Sequence, residues 1–230
     1  MLIFAHRGAS GYAPENTIPA FDLGLEMGAD GLETDVQRTS DGALVLIHDA
    51  LVDRTTDGNG PISQLAWRDV AALDAGSWLD PKWAGLRVPT LGTLLDRYLG
   101  KTILCLEAKA EDATLPLVDE LVRRGITNRA DVQLSSFSWS SVLQLAQRLP
   151  DLVVGYLTPR FDGAEIQKVL DAGLRQICPR ADVLTPALVQ RAHAAGLQVR
   201  AWGVSSRDDL QRVIDSGADG TTLNWPDWAR

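Results

Sequence analysis

The sequence predicts an α/β chain folded as a (β/α)8 barrel, and three observations support that reading. Short apolar segments of strand length alternate with segments of helix length, the order that gives a mostly parallel sheet. A helical stretch repeatedly ends in glycine just before a strand, at Gly28, Gly125, Gly173, Gly196 and Gly217. Glycine is favoured there because it adopts the left-handed conformation that closes a helix without strain. The last three of these glycines lie 23 and 21 residues apart, the length of one helix plus one strand. A doubly wound open sheet is the competing architecture, but its glycine fingerprint is missing.

Taken in order, the strands are Leu2–Ala5, Leu32–Val36, Ile103–Glu107, Val132–Ser135, Leu152–Leu157, Leu174–Cys178, Gln198–Trp202 and Gly220–Leu223, eight in all. An additional strand, Ala43–Ile47, follows the second. Helices over Asn16–Met27, Ala113–Arg124, Trp139–Arg148, Ala164–Ala172, Pro186–Ala195 and Arg207–Ser216 separate most of them. Residues 49–89 depart from the alternation. They are rich in turn residues, as in Asp57-Gly-Asn-Gly-Pro61, and hold three of the seven tryptophans: Trp67, Trp78 and Trp83. The expectation is one domain over residues 1–230, with 49–89 inserted after the His48 strand. The tail beyond Leu223 is short, so the eighth helix should be truncated or absent.

Composition narrows the function. The chain is 45% hydrophobic and 23% charged, ordinary for a globular protein. Its formal charge of −8 makes it a poor binder of nucleic acid through phosphate neutralisation. The run Met1–Ala5 is too short for a signal peptide, and no apolar run is long enough for a membrane span. The expectation is a soluble cytoplasmic protein without stable membrane insertion. Cys105 and Cys178 lie far apart and form no Cys-x-x-Cys pair, so neither a disulfide scaffold nor a zinc ribbon is indicated.

Three motifs fail on their details. Gly100-Lys101-Thr102 ends like a P-loop, but Leu95 stands where the first glycine belongs. Asp53–Gln64 imitates a calcium loop but lacks its bidentate acid. No Gly-x-Ser-x-Gly elbow occurs.

In a barrel the C-terminal strand ends face the active site. Read in order, those ends carry His6-Arg7-Gly8, Glu33-Thr34-Asp35, His48-Asp49, Glu107-Ala108-Lys109 and Trp202. Strand period places Glu33 and Asp35 on one face of their strand, and likewise Glu107 and Lys109 on one face of theirs. Three inward carboxylates would each cost several kcal/mol if left unpaired. A hard cation such as Mg²⁺ or Ca²⁺ resolves this with oxygen ligands. Without a cysteine ligand or a His-x-His pair in the set, zinc is the poorer candidate. A metal with Arg7 and Lys109 suggests a clamped phosphate. Two histidines without a serine or cysteine nucleophile suggest an acid and a base. Together these parts describe phosphodiester cleavage and leave the substrate open. His193 sits on a helix and is assigned no role.

One ordered signature runs through the first sixty residues. It comprises His6-Arg7-Gly8, Pro14-Glu15-Asn16-Thr17, Phe21, Gly28-Ala-Asp30, Glu33-x-Asp35-Val36, Thr39-x-Asp41-Gly42, His48-Asp49, Arg54-Thr-Thr56 and Gly58-x-Gly60. Downstream, Glu107-x-Lys109 and Val199-x-Ala-Trp202 extend it. It resembles the glycerophosphodiester phosphodiesterase family, particularly its small bacterial cytosolic members. The resemblance implies a TIM barrel with an inserted subdomain after His48. It also implies hydrolysis of small glycerophosphodiesters to sn-glycerol 3-phosphate and an alcohol, aided by a divalent metal, Mg²⁺ or Ca²⁺. By position, His6 and His48 correspond to the acid–base pair, and Glu33, Asp35 and Glu107 to the metal ligands. Arg7 and Lys109 would hold the phosphate and Trp202 would pack on the glycerol. Glu15 and Asn16 would order the loop under His6.

Two stretches depart from the family pattern: Trp202-Gly203-Val204-Ser205 and Leu223-Asn224-Trp225-Pro226. Both are placed at the rim of the glycerol site, where they would bear on substrate preference. Two other readings stand beside this one. One is phospholipase D-like hydrolysis of lysophospholipids, with Trp67, Trp78, Leu79, Trp83 and Leu86 as an apolar landing surface. The other is a non-catalytic phosphate-ester-binding protein. Against the first, those apolar residues also suit a small core within the insertion.

Overall fold

The computed structural model describes residues 1–230. Nine strands form one sheet: β1 (Leu2–His6), β2 (Gly31–Arg38), β3 (Leu44–Leu46), β4 (Ile103–Ala108), β5 (Val132–Ser136), β6 (Val153–Thr158), β7 (Gln176–Pro179), β8 (Gln198–Ala201) and β9 (Gly220–Leu223). Its order is β1-β9-β8-β7-β6-β5-β4-β2-β3, and β1 also pairs with β2. That last pairing closes eight parallel strands into a barrel. The ninth, β3, runs antiparallel along the outer half of β2, with Val36 opposite Leu46. The predicted (β/α)8 architecture is the one observed.

Eight α-helices accompany the sheet: α1 (Ile18–Glu26), α2 (Trp67–Val70), α3 (Leu91–Tyr98), α4 (Glu111–Arg123), α5 (Trp139–Arg148), α6 (Gly163–Asp171), α7 (Pro186–Ala194) and α8 (Arg207–Ser216). Their ends follow local chemistry. Ser206 and Asp209 form a reciprocal capping box at the start of α8, and Gly217 ends it in the left-handed region at φ 78°. Beyond β9 lies a 3-10 turn, Pro226–Ala229. No helix is long and apolar enough to cross a membrane. Both cysteines are buried and free.

Several boundaries move, two of them for a clear local reason, and one helix is new. The first helix begins at Ile18, with Pro19 in its first turn, and not at Asn16. Asn16 instead adopts φ 57° and turns its side chain to the barrel. The seventh strand begins at Gln176 and not at Leu174. Gly173 takes φ 69° and the Leu174 N–H closes back on Val169 at 3.1 Å, so Leu174 belongs to the helix cap. Helix α3, absent from the helices named above, is capped by the Thr90 hydroxyl on the Thr93 N–H and buries Leu91, Leu94, Leu95 and Tyr98.

The apolar core lies mainly outside the barrel. Outward residues such as Ala5, Leu32, Leu104, Leu106 and Leu134 pack against the helices through residues such as Phe21, Leu117 and Leu145. A second, separate cluster of seven buried residues holds the insertion to β3: Val45, Ile47, Val52, Ile62, Val70, Ala75 and Val88. Trp67 packs on it, Trp78 and Trp83 are half-buried, and Leu79 is exposed.

The barrel interior, in contrast, is polar. Gln176 reaches Gln133 across β6 at 3.4 Å and Gln198 at 3.4 Å, and its carbonyl accepts from Arg200 at 3.4 Å. The crossing requires Gly155. A Cβ there would lie 2.5 Å from the Gln176 oxygen and 2.6 Å from the Cys178 sulfur. Arg200 is buried, without a carboxylate at ion-pair distance, and stands 5.6 Å from the Phe4 ring centroid.

Candidate active site

The site is built from residues at the C-terminal ends of the strands, and its anchor is β2. Glu33 and Asp35 point inward from it, and Glu107 points inward from the paired position on β4, opposite Asp35. All three are buried, and one oxygen from each lies within 4.8 Å of the others. This is the convergence expected from strand period.

Two cations flank the acids. Arg7 Nε stands 3.1 Å from Asp35 Oδ2, and Lys109 Nζ lies 3.0 Å from Glu107 Oε1 and 3.6 Å from Asp35 Oδ1. Burial alone would raise all three carboxyls, but Arg7 and Lys109 hold Asp35 below its ordinary range. Glu33 is pushed up to about 8 by burial and by the Asp35 charge. Glu107 is pushed up to about 7 by the same two causes, against the pull of Lys109. A protein that keeps three buried acids together at this cost is holding a place for positive charge. Asp35 Oδ1 has no hydrogen-bond partner although buried. The donor set is all oxygen, so these residues fit a hard divalent cation.

The backbone around Arg7 is unusual. Arg7 and Asn16 are the only non-glycine residues at positive φ, both at 57°. Strain of ~1–3 kcal/mol per residue persists only where surroundings fix it. Here the Arg7 N–H donates to the Glu33 backbone carbonyl at 2.9 Å and to Oε2 at 3.2 Å. The Asn16 N–H donates to the Arg7 carbonyl at 3.0 Å, and the Asn16 amide donates to Asp35 Oδ2 at 3.0 Å while accepting from Thr34. Gly8 follows at φ 80°, and a Cβ there would meet the Ala20 backbone at 2.4 Å. Glu15 accepts from Arg7 Nη1 at 3.0 Å. Glu15 and Asn16 thus order this loop, Glu15 through Arg7 and Asn16 through β2.

The histidines occupy different settings. His6 Nε2 faces Glu33 Oε2 at 3.8 Å, and its Nδ1 meets Asn224 Oδ1 at 2.6 Å. A carbonyl oxygen at Nδ1 requires the proton there, so Nε2 keeps its lone pair in the neutral ring. Burial, and then the Arg7 charge, push His6 down to about 4. His48 Nδ1 meets Asp49 Oδ1 at 2.6 Å, which leaves its Nε2 as the atom free to give or take a proton. His6, Arg7, Glu33, His48, Glu107, Lys109 and Trp202 all line one cavity of about 220 Å³. His193 lies elsewhere and binds Asp219 on the surface at 2.9 Å.

The two departures from the family pattern separate. Gly203 lines the cavity. Ser205 does not, and instead bonds Asp209 at the start of α8 at 2.9 Å. Asn224 is not among the lining residues and meets His6 Nδ1 at 2.6 Å. Phe137 was missed: it lines the cavity, meets Trp202 edge-on at 4.9 Å and lies 5.6 Å from Lys109 Nζ. Its signal was its place just past a strand end. Arg200 was missed because it lies a layer below the strand ends, yet it lines the same cavity.

This geometry agrees with what the chain is similar to. Residues 6–228 match the model of the glycerophosphoryl diester phosphodiesterase family. A glycerophosphodiester phosphodiesterase of Caldanaerobacter subterraneus is 34% identical over 230 residues, covering 98% of this chain and 95% of that protein. The structure of an Oleispira antarctica phosphodiesterase in complex with the product sn-glycerol-3-phosphate superposes with a TM-score of 0.89 at 26% identity. That match covers 99% of this chain and 94% of the other. A glycerophosphodiester phosphodiesterase from Agrobacterium tumefaciens gives 0.86 at 31% identity, over 99% and 98% of the two chains. On the full-length match and on these relatives, the chain belongs to the glycerophosphoryl diester phosphodiesterase family.

Proposed function

We propose that the protein hydrolyses small glycerophosphodiesters to sn-glycerol 3-phosphate and an alcohol, using His6 and His48 as the acid–base pair and a divalent cation held by Glu33, Asp35 and Glu107. It is a phosphoric diester hydrolase by family, and we read 1–230 as one barrel domain with 49–89 inserted. The observation that supports the reading best is the buried carboxylate triad, two of whose members, Glu33 and Glu107, line one cavity with two histidines and two cations. The Oleispira relative's product complex supports the identity of the product.

When bound, Mg²⁺ or Ca²⁺ supplies positive charge to the phosphate and to the attacking hydroxyl. The chain's own groups do the rest. Arg7 and Lys109 hold phosphate oxygens, Arg7 through a planar fork. Trp202 and Phe137 form the apolar wall for the glycerol carbons. His6 Nε2, kept neutral, takes the proton of the glycerol hydroxyl beside the phosphate-bearing carbon. That oxygen attacks phosphorus, the P–O bond to the alcohol breaks, and His48 Nε2 protonates the departing oxygen. A five-membered cyclic phosphate results. In the second half the roles reverse: His48 takes a proton from water, water opens the ring, and His6 returns its proton to the glycerol oxygen.

The test is release of sn-glycerol 3-phosphate across a glycerophosphodiester panel, before and after chelation. Chelation is expected to abolish turnover, and Mg²⁺ or Ca²⁺ to restore it; full activity after exhaustive chelation overturns the metal assignment. Glu33→Gln should weaken the cation's hold without unfolding the barrel. Protons on Glu33 and Glu107 must leave before the cation binds. Affinity should therefore rise with pH through about 7 and about 8, with proton release. Calorimetric titrations at pH 6 and pH 9, in buffers of different ionisation enthalpy, read both quantities.

A further inference from the structure

The insertion sends one side chain back into the site. Arg54 donates from Nε to Asp49 Oδ2 at 2.6 Å and from Nη2 to Asp49 Oδ1 at 3.2 Å. The same guanidinium donates from Nη1 to Glu15 Oε2 at 2.8 Å and from Nη2 to Glu15 Oε1 at 2.8 Å. Each carboxylate has one further partner, and each partner is a residue of the site. Asp49 holds His48 Nδ1, and Glu15 holds Arg7 Nη1. The five side chains form one line, His48–Asp49–Arg54–Glu15–Arg7, that joins the loop after β1 to the loop after β3.

We propose that Arg54 is a positioning residue that sets His48 through Asp49 and Arg7 through Glu15, so that the acid–base group and the phosphate clamp are aimed together. This rests on the function proposed above. Arg54 touches neither the substrate cavity's lining nor the carboxylate triad. Its side chain is 45% exposed, and ion pairs that face water contribute little to stability. Two bidentate forks on two carboxylates are a poor use of a solvent-facing arginine if stability is the purpose. They fix orientation, because a planar guanidinium holds both carboxylate planes and a point charge cannot.

The backbone beneath Arg54 is also fixed. The Thr56 hydroxyl donates to the Val52 carbonyl at 2.7 Å and accepts from the Gly58 N–H at 3.1 Å. Asp53 accepts from the Gly60 N–H at 2.8 Å, and Val52 N–H donates to the Gly60 carbonyl at 3.0 Å. Val52 itself is in the insertion's small core. The residues Arg54-Thr-Thr56 and Gly58-x-Gly60 of the signature are thus a mount for one guanidinium.

The experiment compares Arg54→Met, Arg54→Lys and Arg54→Ala with the unaltered holoenzyme. Displacing a catalytic group by about 1 Å can cost ~10²-fold, and a kcat loss of that order is expected for Arg54→Met. KM should rise as well, because Arg7 is loosened. Arg54→Lys should recover little of either. Methylguanidine, added in solution, should restore activity to Arg54→Ala by ~10-fold or more, since the site is open to solvent. In an Asp49→Asn background, the kcat loss of Arg54→Met should be far smaller than it is alone, because both act on kcat through His48, while the KM rise through Glu15 and Arg7 should persist. An unchanged kcat in folded Arg54→Met, with only a lowered melting temperature, overturns the proposal. So does a loss that methylguanidine leaves untouched and that multiplies with Asp49→Asn. If the unaltered protein itself releases no glycerol phosphate, the functional reading fails instead, and the two failures are distinct.

Discussion

A glycerophosphodiester whose hydroxyl beside the phosphate-bearing carbon is removed or methylated is expected to bind as an inhibitor and to resist cleavage. No serine, threonine or cysteine stands among the groups that line the cavity as an activated nucleophile; Ser135 and Thr222 lie there without a histidine partner. The attacking oxygen must therefore come from water or from the substrate. A hydroxyl tethered one carbon away has an effective molarity that can reach ~10⁵ M or more, which is why substrate attack is the route proposed. The analogue keeps the phosphate that the proposed function assigns to Arg7 and Lys109, and it should compete with the parent diester at similar concentration. The measurement is its cleavage rate beside its inhibition constant. Cleavage close to the parent's rate would favour direct attack by water and require new roles for His6 and His48.

His6→Ala and His48→Ala should each lower kcat by ~10²–10⁴-fold, the usual contribution of a positioned acid or base. The leaving group separates them. A diester of glycerol phosphate with an acidic phenol needs no proton on its departing oxygen. Read as release of the phenol, which precedes ring opening, the His48→Ala deficit should shrink by most of its size, while the His6→Ala deficit should persist. The settings of the rings lead to this assignment. Both rings are half-buried, but burial and Arg7 push His6 down to about 4, so its Nε2 keeps a lone pair, whereas His48 is held at Nδ1 by Asp49. Near-normal kcat in both variants would reject the acid–base assignment. Selective recovery of His6→Ala by the phenol ester would exchange the two roles.

The barrel and its reactive strand ends were legible because their signals are local. Glycine at helix ends and acids two residues apart on a strand each reflect a single backbone geometry, and Glu33, Asp35 and Glu107 converge as their spacing requires. What sequence did not show depends on partners distant along the chain. The contact of Asn224 with His6, 218 residues away, appears only once β9 is placed beside β1. Asn16 reads as the start of a helix because nothing local reveals that its amide is needed on Asp35. Arg54 lies in the signature, but its bonds to Asp49 and Glu15 appear only when the fold places those residues on either side of it. The polar interior was hidden by a sound rule, that barrel interiors hold Val, Ile and Leu. Gln133, Gln176, Gln198 and Arg200 break that rule together, supported by a glycine whose purpose is space.

The small apolar cluster under the insertion has a thermal consequence. Seven buried side chains hold the segment that mounts Arg54, and none of them belongs to the main core. A unit with so little buried surface opens at lower free energy than the barrel does. On gentle heating the His48 loop should lose its mount while the eight parallel strands remain intact. Turnover is then expected to vanish several degrees below the melting of far-ultraviolet ellipticity, and to return on cooling, with protease nicking confined to residues 49–89 in that interval. If activity and ellipticity fall together, and no cleavage precedes them, the cluster and the barrel unfold as one cooperative unit. If they separate, the enzyme has a working temperature set by seven side chains and a melting temperature set by the rest.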